Sequence, residues 1–263
     1  MNDAYSIYLV RQRRARRAVR FGQIAVLLGF FGLWELGAAL GWFDPFILSS
    51  PSRVWATIVR LYASNDLWLH IGTTLLETVL GFVLGTLLGT LLAVVLWWLP
   101  TLNRILDPYL VVLNALPKIA LGPVLIVWIG AGMASIVVMG ILVSLVVTTV
   151  TVLNGFLTTT DEKQLLMKTL GATKLQIFWK VVLPAGLKDL IAALKISVGM
   201  SWVGVIVGEY LVSKAGLGYL IVYGGQVFKL DLVMASVVIL CVLAALMYEA
   251  VALLEKGLTR KKA

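Results

Sequence analysis

Charge and reactive side chains are scarce in this sequence. Of its 263 residues, 13% are Asp, Glu, Lys or Arg, while 60% are hydrophobic. Its one cysteine, Cys241, lies in an apolar run, so the chain can build no internal disulfide and the thiol reads as a small buried apolar group. Its one histidine, His70, has no second His or Cys at ligand spacing and is placed at the outer membrane surface. That pattern argues against a metal centre and leaves no Ser–His or Cys–His nucleophile pair to assemble. No Gly-Lys-Ser or Gly-Lys-Thr occurs, so the chain has no loop with which to cradle ATP. No catalytic residue, metal or cofactor is therefore expected on this chain, and a membrane-embedded enzyme is the weakest reading. No cleavable leader is expected either, because a basic arm runs directly into an apolar stretch of full length.

What the sequence has in abundance is apolar length. Six runs stand out, at about Phe21–Phe43, Ile71–Leu99, Pro108–Ile129, Ala134–Leu157, Leu187–Val212 and Leu232–Leu254. Each is roughly 20 residues or longer, enough for a hydrocarbon core of ~30 Å. The expected fold is all-α: a basic arm over residues 1–20, then a six-helix transmembrane domain over 21–263. Lys and Arg set the orientation. Arg11, Arg13, Arg14, Arg16, Arg17 and Arg20, then Arg104, then Lys163, Lys168, Lys174, Lys180 and Lys188, then Lys256, Arg260, Lys261 and Lys262 all fall on one side. Arg53, Arg60, Lys214 and Lys229 fall on the other. The positive-inside rule makes both termini cytoplasmic. The net charge of +9 is thus a topology signal, and nucleic acid is not an expected partner.

Within the spans, local chemistry narrows the roles. Gly81, Gly85 and Gly89 repeat at four-residue spacing, which lets helices approach closely in lipid; a path-lining groove is the alternative. The third span holds Pro117, Gly122 and Pro123, so it is expected to be broken, and broken helices at membrane depth accompany transport sites. Lys118 beside that break either serves the path or snorkels to the headgroups. Thr148, Thr149, Thr151 and Asn154 offer interhelical hydrogen bonds or a polar exit route. The fifth span carries Lys195, Ser197, Ser201, Trp202 and Glu209, unusual polar content for lipid. Lys195 and Glu209 are ~21 Å apart along a helix, too far to pair. Glu77 is given no role. Outside the spans, Val54, Ile58, Leu61 and Tyr62 recur at helical spacing after Pro51, a short helix on the outer surface.

The one strongly polar interior segment is Asp161–Pro184. Its pattern predicts two short helices. Gly171 permits a left-handed turn between them, Thr173 caps the second with Gln176 completing a capping box, and Pro184 stops that helix or starts the next. Leu165, Leu166, Leu170, Leu175, Ile177, Phe178 and Val181 give it an apolar side, while Lys163, Lys168, Lys174 and Lys180 are expected to stay wet. An interfacial amphipathic helix pair and a partner-docking element both fit this pattern.

Several of these stretches carry a resemblance. Gly171 with Pro184, in the form G-x9-V-x-L-P, resembles the "EAA" coupling loop of ABC-importer membrane subunits. Asn114–Gly130, N-A-L-P-K-I-A-L-G-P-x-x-I-V-W-I-G, and Gly216–Ile221, G-L-G-Y-L-I, resemble segments of the nitrate/sulfonate/taurine permeases, as does L-S-S-P-S-x-V-W at Leu48–Trp55. The sequence departs from that pattern in three places. Leu165, Leu166 and Met167 stand where the family has Glu-Ala-Ala, with Asp161 and Glu162 one turn earlier as the acidic candidates. Lys188 replaces a second proline, so the fifth span should be less kinked at its start. Glu77 falls where relatives often have a basic residue.

The resemblance implies a type I ABC-importer permease fold in a bacterial inner membrane. Its implied partners are two ATP-binding subunits, a second permease subunit (a homodimer in the simplest case) and an extracytoplasmic solute-binding protein, with ATP and magnesium on the ATP-binding subunits. Coupling would fall to Glu162, Leu165, Leu166, Met167, Leu170, Gly171, Ala172, Thr173 and Pro184. The path would be served by Pro117, Lys118, Pro123, Lys195, Ser201, Trp202 and Glu209. An anion of the nitrate, sulfonate or taurine class is the implied substrate, with a pyrimidine thiamine precursor or another small organic solute as the alternative. An ion-coupled secondary carrier is the alternative architecture, although no second broken span mirrors the third.

Overall fold

The computed structural model describes residues 2–159 and 161–260. Lys261 and Lys262 of the basic tail lie outside the described residues. Twelve α-helices run in order among these residues: α1 Asn2–Ala39, α2 Pro45–Leu48, α3 Pro51–Ala63, α4 Asp66–Trp98, α5 Pro100–Ala115, α6 Gly122–Ile129, α7 Met133–Leu157, α8 Asp161–Thr169, α9 Lys174–Ile177, α10 Leu183–Val212, α11 Leu217–Gln226 and α12 Leu230–Arg260. Five helical stretches are long and apolar enough to cross a membrane, and α5 with the segment Lys118–Ile129 makes a sixth if a bent pair counts as one span. No strand occurs among the described residues.

The core is a three-helix stack of α4, α7 and α10. In lipid, helices gain little from hiding apolar surface, so close van der Waals contact and interhelical hydrogen bonds decide what packs. Gly140 of α7 lies between Gly81 of α4 and Gly204 of α10. A methyl on Gly81 would stand 3.3 Å from the Gly140 Cα, and one on Gly204 only 2.8 Å from it. Farther along the same seam, the Ser144 Oγ occupies the space over Gly85 and donates to the Gly140 carbonyl at 2.9 Å. Thr149 Oγ1 bonds the Leu145 carbonyl at 2.8 Å and the Gly89 carbonyl at 3.2 Å, and Thr148 shares a 2.6 Å hydroxyl contact with Ser197. The glycine repeat is therefore a packing seam, and Thr148 and Thr149 serve interhelical bonding.

Several expectations are corrected. The basic arm does run directly into the first span, within the single helix α1, which is mostly exposed along its apolar length; the differences lie elsewhere. The third span begins at Pro100 rather than Pro108, which lies inside α5. Its break is a bend of 90°. Leu116 precedes Pro117 and is driven into the extended region (ψ 136°), ending α5; a 3-10 turn, Lys118–Leu121, follows. Pro123 breaks nothing, since it sits in the first turn of α6, where no N–H is required. The G-L-G-Y-L-I stretch opens α11, with Gly216 at its N-cap.

Of the two expectations for Pro184, the second holds: it stands in the first turn of α10, but the helix before it does not stop. Helix continues through it, so Lys174–Val212 is one 39-residue element. A π-helical turn at Phe178–Val182 makes this possible: the Leu183 N–H reaches back to the Phe178 carbonyl. Pro184 then falls in the first turn of α10, two residues after the turn that absorbs its missing donor. The helix expected after Pro51 is present as α3, capped by Ser50.

The backbone contact at Gly204 gives a direct test. A Gly204→Ala methyl would meet the Gly140 Cα and the Met139 carbonyl at 2.8 and 2.9 Å, atoms that cannot swing aside. The expected outcome is a loss of about 1–3 kcal/mol, read as a lower unfolding temperature of the purified protein, whereas Gly199→Ala, with open space around it, should leave that temperature unchanged.

Candidate functional site

The polar segment after α7 folds as a rigid helix–turn–helix. Gly171 ends α8 with φ +76°, a left-handed conformation that glycine adopts without strain. The Ala172 N–H bonds the Met167 carbonyl at 2.9 Å and the Gly171 N–H bonds that of Lys168 at 3.0 Å, the paired bonds of a Schellman stop. Thr173 then caps α9, and the Gln176 side chain returns the bond to the Thr173 N–H at 2.8 Å, so the predicted capping box is formed.

This element is fastened to the end of α4 by a contact that the sequence pattern does not announce. Lys174, expected to stay wet, lays its ammonium 2.6 Å from the Trp98 carbonyl and 5.6 and 5.4 Å from the Trp97 and Trp98 ring centres. It thereby satisfies a carbonyl at the negative end of α4 while facing two aromatic rings. Phe178 packs beside it, 5.1 Å from Trp97 and 5.7 Å from Phe156 of α7. Ile177, Phe178 and Val182 are buried in this cluster, with Met167 and Ala172 packed against it. The expected single apolar side is thus divided. Leu165, Leu166, Leu170 (73% exposed) and Leu175 point away from the fold, and Trp179 is exposed as well. Glu162 is exposed too.

The residues grouped with a path are not brought together into one cluster. Lys118, at the 90° bend, is held by a 3.1 Å bond from its ammonium to the Asn114 carbonyl. Lys195 makes an ion pair with Glu255 of α12 at 2.5 Å. Ser201 and Trp202 are buried, Trp202 in a cluster with Val198 and Val251, and neither the Ser201 hydroxyl nor the Trp202 indole N–H has a hydrogen-bond partner.

Glu209 is 1% exposed, inside the subunit, and it closes the start of α11. Its Oε2 accepts from the Gly218 N–H at 2.6 Å and the Tyr219 N–H at 3.4 Å. Two side chains of α4 complete the cap: Thr74 Oγ1 accepts from the Leu217 N–H at 2.7 Å, and His70 Nδ1 accepts from the Gly216 N–H at 2.9 Å. His70, expected at the outer membrane surface, is buried within the subunit and stacks with Tyr219 at 6.0 Å. Glu77, which received no role, is 1% exposed beside Glu209.

Residues 85–260 match the model of the family described as "binding-protein-dependent transport system inner membrane component". The chain belongs to this family. It is 34% identical over 217 residues to a probable ABC transporter permease of Haemophilus influenzae, covering 82% of this chain and 87% of that protein. It is 32% identical to the formylaminopyrimidine transport permease ThiX of Halalkalibacterium halodurans, covering 88% and 92% of the two chains. It is 25% identical to the taurine transport permease TauC of Escherichia coli, covering 90% and 87%. The fold is shared with a chain of the MetNI methionine ABC transporter in an inward-facing conformation, with a TM-score of 0.64 at 21% identity over 76% of this chain and 97% of that one. The permease fold is thus the type I ABC-importer fold, in a multi-pass membrane protein, and the chain is the permease subunit of an ABC importer. The secondary-carrier alternative gives way to this assignment.

In the permease, sequence reasoning found the turn, the cap and the exposed leucines of the polar segment. It missed Trp97, Trp98, His70, Thr74 and Glu77. Two adjacent tryptophans at the end of an apolar run, facing a lysine-rich segment, were the available signal for the first pair. If Lys174 fastens this segment, Lys174→Met should raise its local opening by about tenfold, corresponding to ~1–2 kcal/mol for the lost charged bond and ring contacts. Hydrogen exchange over residues 161–182 reads this directly, and exchange elsewhere should be unchanged.

Proposed function

We propose that the permease pairs with a second permease subunit around a central path, and that Asp161–Pro184 is the surface on which an ATP-binding subunit docks. The observation that carries this reading is the exposure of Leu165, Leu166, Leu170 and Leu175 on a segment rich in charge. Apolar side chains that stand free on a rigid support mark an interaction surface. Glu162, Met167, Ala172 and Thr173 belong to the docking element as its charged edge, its two internal anchors and its cap. Pro184 belongs to its connection with α10. Both termini would then lie with this segment on the cytoplasmic face of a bacterial inner membrane. ATP and magnesium would be held and hydrolysed on the partner, with no cofactor on this chain.

Domain movement driven by ATP would enter through the docking segment and pass into α10, the helix with which it is continuous. A solute-binding protein would deliver cargo at the opposite face, where α3 and α11 lie. Pro117, Lys118 and Pro123 remain the favoured path residues, because the bent pair of helices leaves Tyr109, Val112, Val127 and Trp128 exposed, an apolar surface that a facing subunit would cover. Lys195, Ser201 and Trp202 stay with the proposed path through their place on α10. Glu209 acts on it indirectly, by holding α11.

A small anion of the sulfonate, taurine or nitrate class is the proposed cargo. Lys118 offers a cation at the bend, and Glu209 is turned inside the subunit, where it does not oppose an anion. A pyrimidine thiamine precursor is the second reading, favoured by the 32% identity to the formylaminopyrimidine permease. Isolating the importer with its binding protein and screening taurine, alkylsulfonates, nitrate and formylaminopyrimidine for ligand-induced thermal shifts would separate the two.

Docking is tested at Gly171. Proline fixes φ near −65°, cannot adopt +76°, and removes the N–H that serves the Lys168 carbonyl. Gly171→Pro should reduce substrate-stimulated ATP hydrolysis and uptake by about tenfold or more, with membrane insertion retained. Wild-type hydrolysis from the variant complex would refute the assignment of this segment.

A further inference from the structure

Beyond the capping role of Glu209, a second buried carboxyl group needs a chemical account. Glu77 of α4 and Glu209 of α10 are each 1% exposed, and their carboxyl groups lie side by side, with the Thr74 hydroxyl also beside Glu209. One oxygen on each, Glu77 Oε2 and Glu209 Oε1, is fully buried without a hydrogen-bond donor. Two ionised carboxylates are acceptors only, so they cannot satisfy one another. One proton satisfies both oxygens at once.

We infer that Glu77 and Glu209 form a buried two-carboxylate site that holds a single proton between Glu77 Oε2 and Glu209 Oε1. The donors around the site assign the proton's owner. Glu209 Oε2 already accepts from the Gly218 and Tyr219 N–H groups at the start of α11, where the helix dipole favours a negative charge. Glu209 is therefore the carboxylate, and Glu77 is the acid that donates to it. With one proton the site carries a single negative charge facing the positive end of α11. With none it would carry two, in contact and out of water; with two, the amide donors would face a neutral acid.

Few ionisable groups stand on the elements packed around the site. From α4, His70 accepts from the Gly216 N–H through Nδ1, and Asp66 lies one turn beyond it. From α10 and α11 come Tyr210 and Tyr219. Helices α6 and α7 contribute no ionisable side chain. Lys214 lies in the connection before α11, and Asp231 of α12 is paired with Arg53 at 2.9 Å. A metal ion is poorly suited to the site, since no group of three or more His, Cys, Asp or Glu side chains converges among the described residues, whereas hard cations need six or more oxygen ligands. The proton thus acts as a fastener that joins α4 to α10 at the seat of α11.

Infrared spectroscopy of the full chain, purified with its partner subunits into lipid nanodiscs, tests this without relying on any variant. At about pH 8, well above the ordinary carboxylic acid range, the wild type should show the carbonyl band of a protonated carboxylic acid. Glu77→Gln, whose amide can donate to Glu209 in place of the proton, should assemble and lack the band, and Glu209→Gln should lack it too. Absence of the band from the wild type, or its survival in both variants, would overturn the inference.

Discussion

Everything else in this subunit depends on three backbones touching. Where Gly81, Gly140 and Gly204 meet, α7 and α10 lie closer than a Cβ on Gly204 would allow, and α4 and α7 approach nearly as tightly. Lipid tails are as apolar as leucine, so this closeness, with the Ser144, Thr148 and Thr149 hydrogen bonds, supplies cohesion that burial of oily surface cannot. The outer helices need less. Helix α1 touches the rest sparingly, its Glu35 carboxylate accepting from the Ser52 N–H and hydroxyl.

The two ends of the three-helix core solve the same problem with opposite chemistry. Each must satisfy backbone groups where a helix stops or starts. At one end a cation, Lys174, covers the Trp98 carbonyl at the finish of α4. At the other, an imidazole, a hydroxyl and a carboxylate receive successive N–H groups at the beginning of α11. Both solutions join elements distant in sequence, and both place charge where the helix dipole favours it. Family membership explains what such a core is for, namely carrying a path through the membrane. The local chemistry explains how its ends are held.

Features that depend on neighbours in sequence were legible before the structure. The spans come from apolar length, the packing seam from glycines four apart, and the turn from Gly171 beside the Thr173–Gln176 box. Features that depend on distant partners were not. Nothing near Lys174 in sequence announces two tryptophans 76 positions earlier, and solvation was the natural expectation for a lysine on a charged segment. His70 and Glu77 failed for the same reason, since their partners lie more than a hundred residues away on α10 and α11. Pro184 left two outcomes open, a stop or a start, and only the structure chose between them. Proline lacks a donor, but whether its helix breaks depends on the five residues before it, and a π-turn accommodates the loss without a stop.

That turn has a further consequence for phase. An α-helix advances each side chain by about 100° around its axis. A π-turn accommodates one extra residue within an otherwise α-helical run, so it resets the angle between the side chains before it and those after it. In the Lys174–Val212 element, Ile177 and Phe178 must face the Trp97 cluster while Ser197, Ser201 and Glu209 face α4 and α7. Removing one residue between Phe178 and Val182 would leave every other side chain chemically intact and turn one half against the other by about 100°. Chain length in this short stretch is therefore as constrained as residue identity, because it sets the angle at which the exposed leucines of the polar segment stand relative to the membrane core.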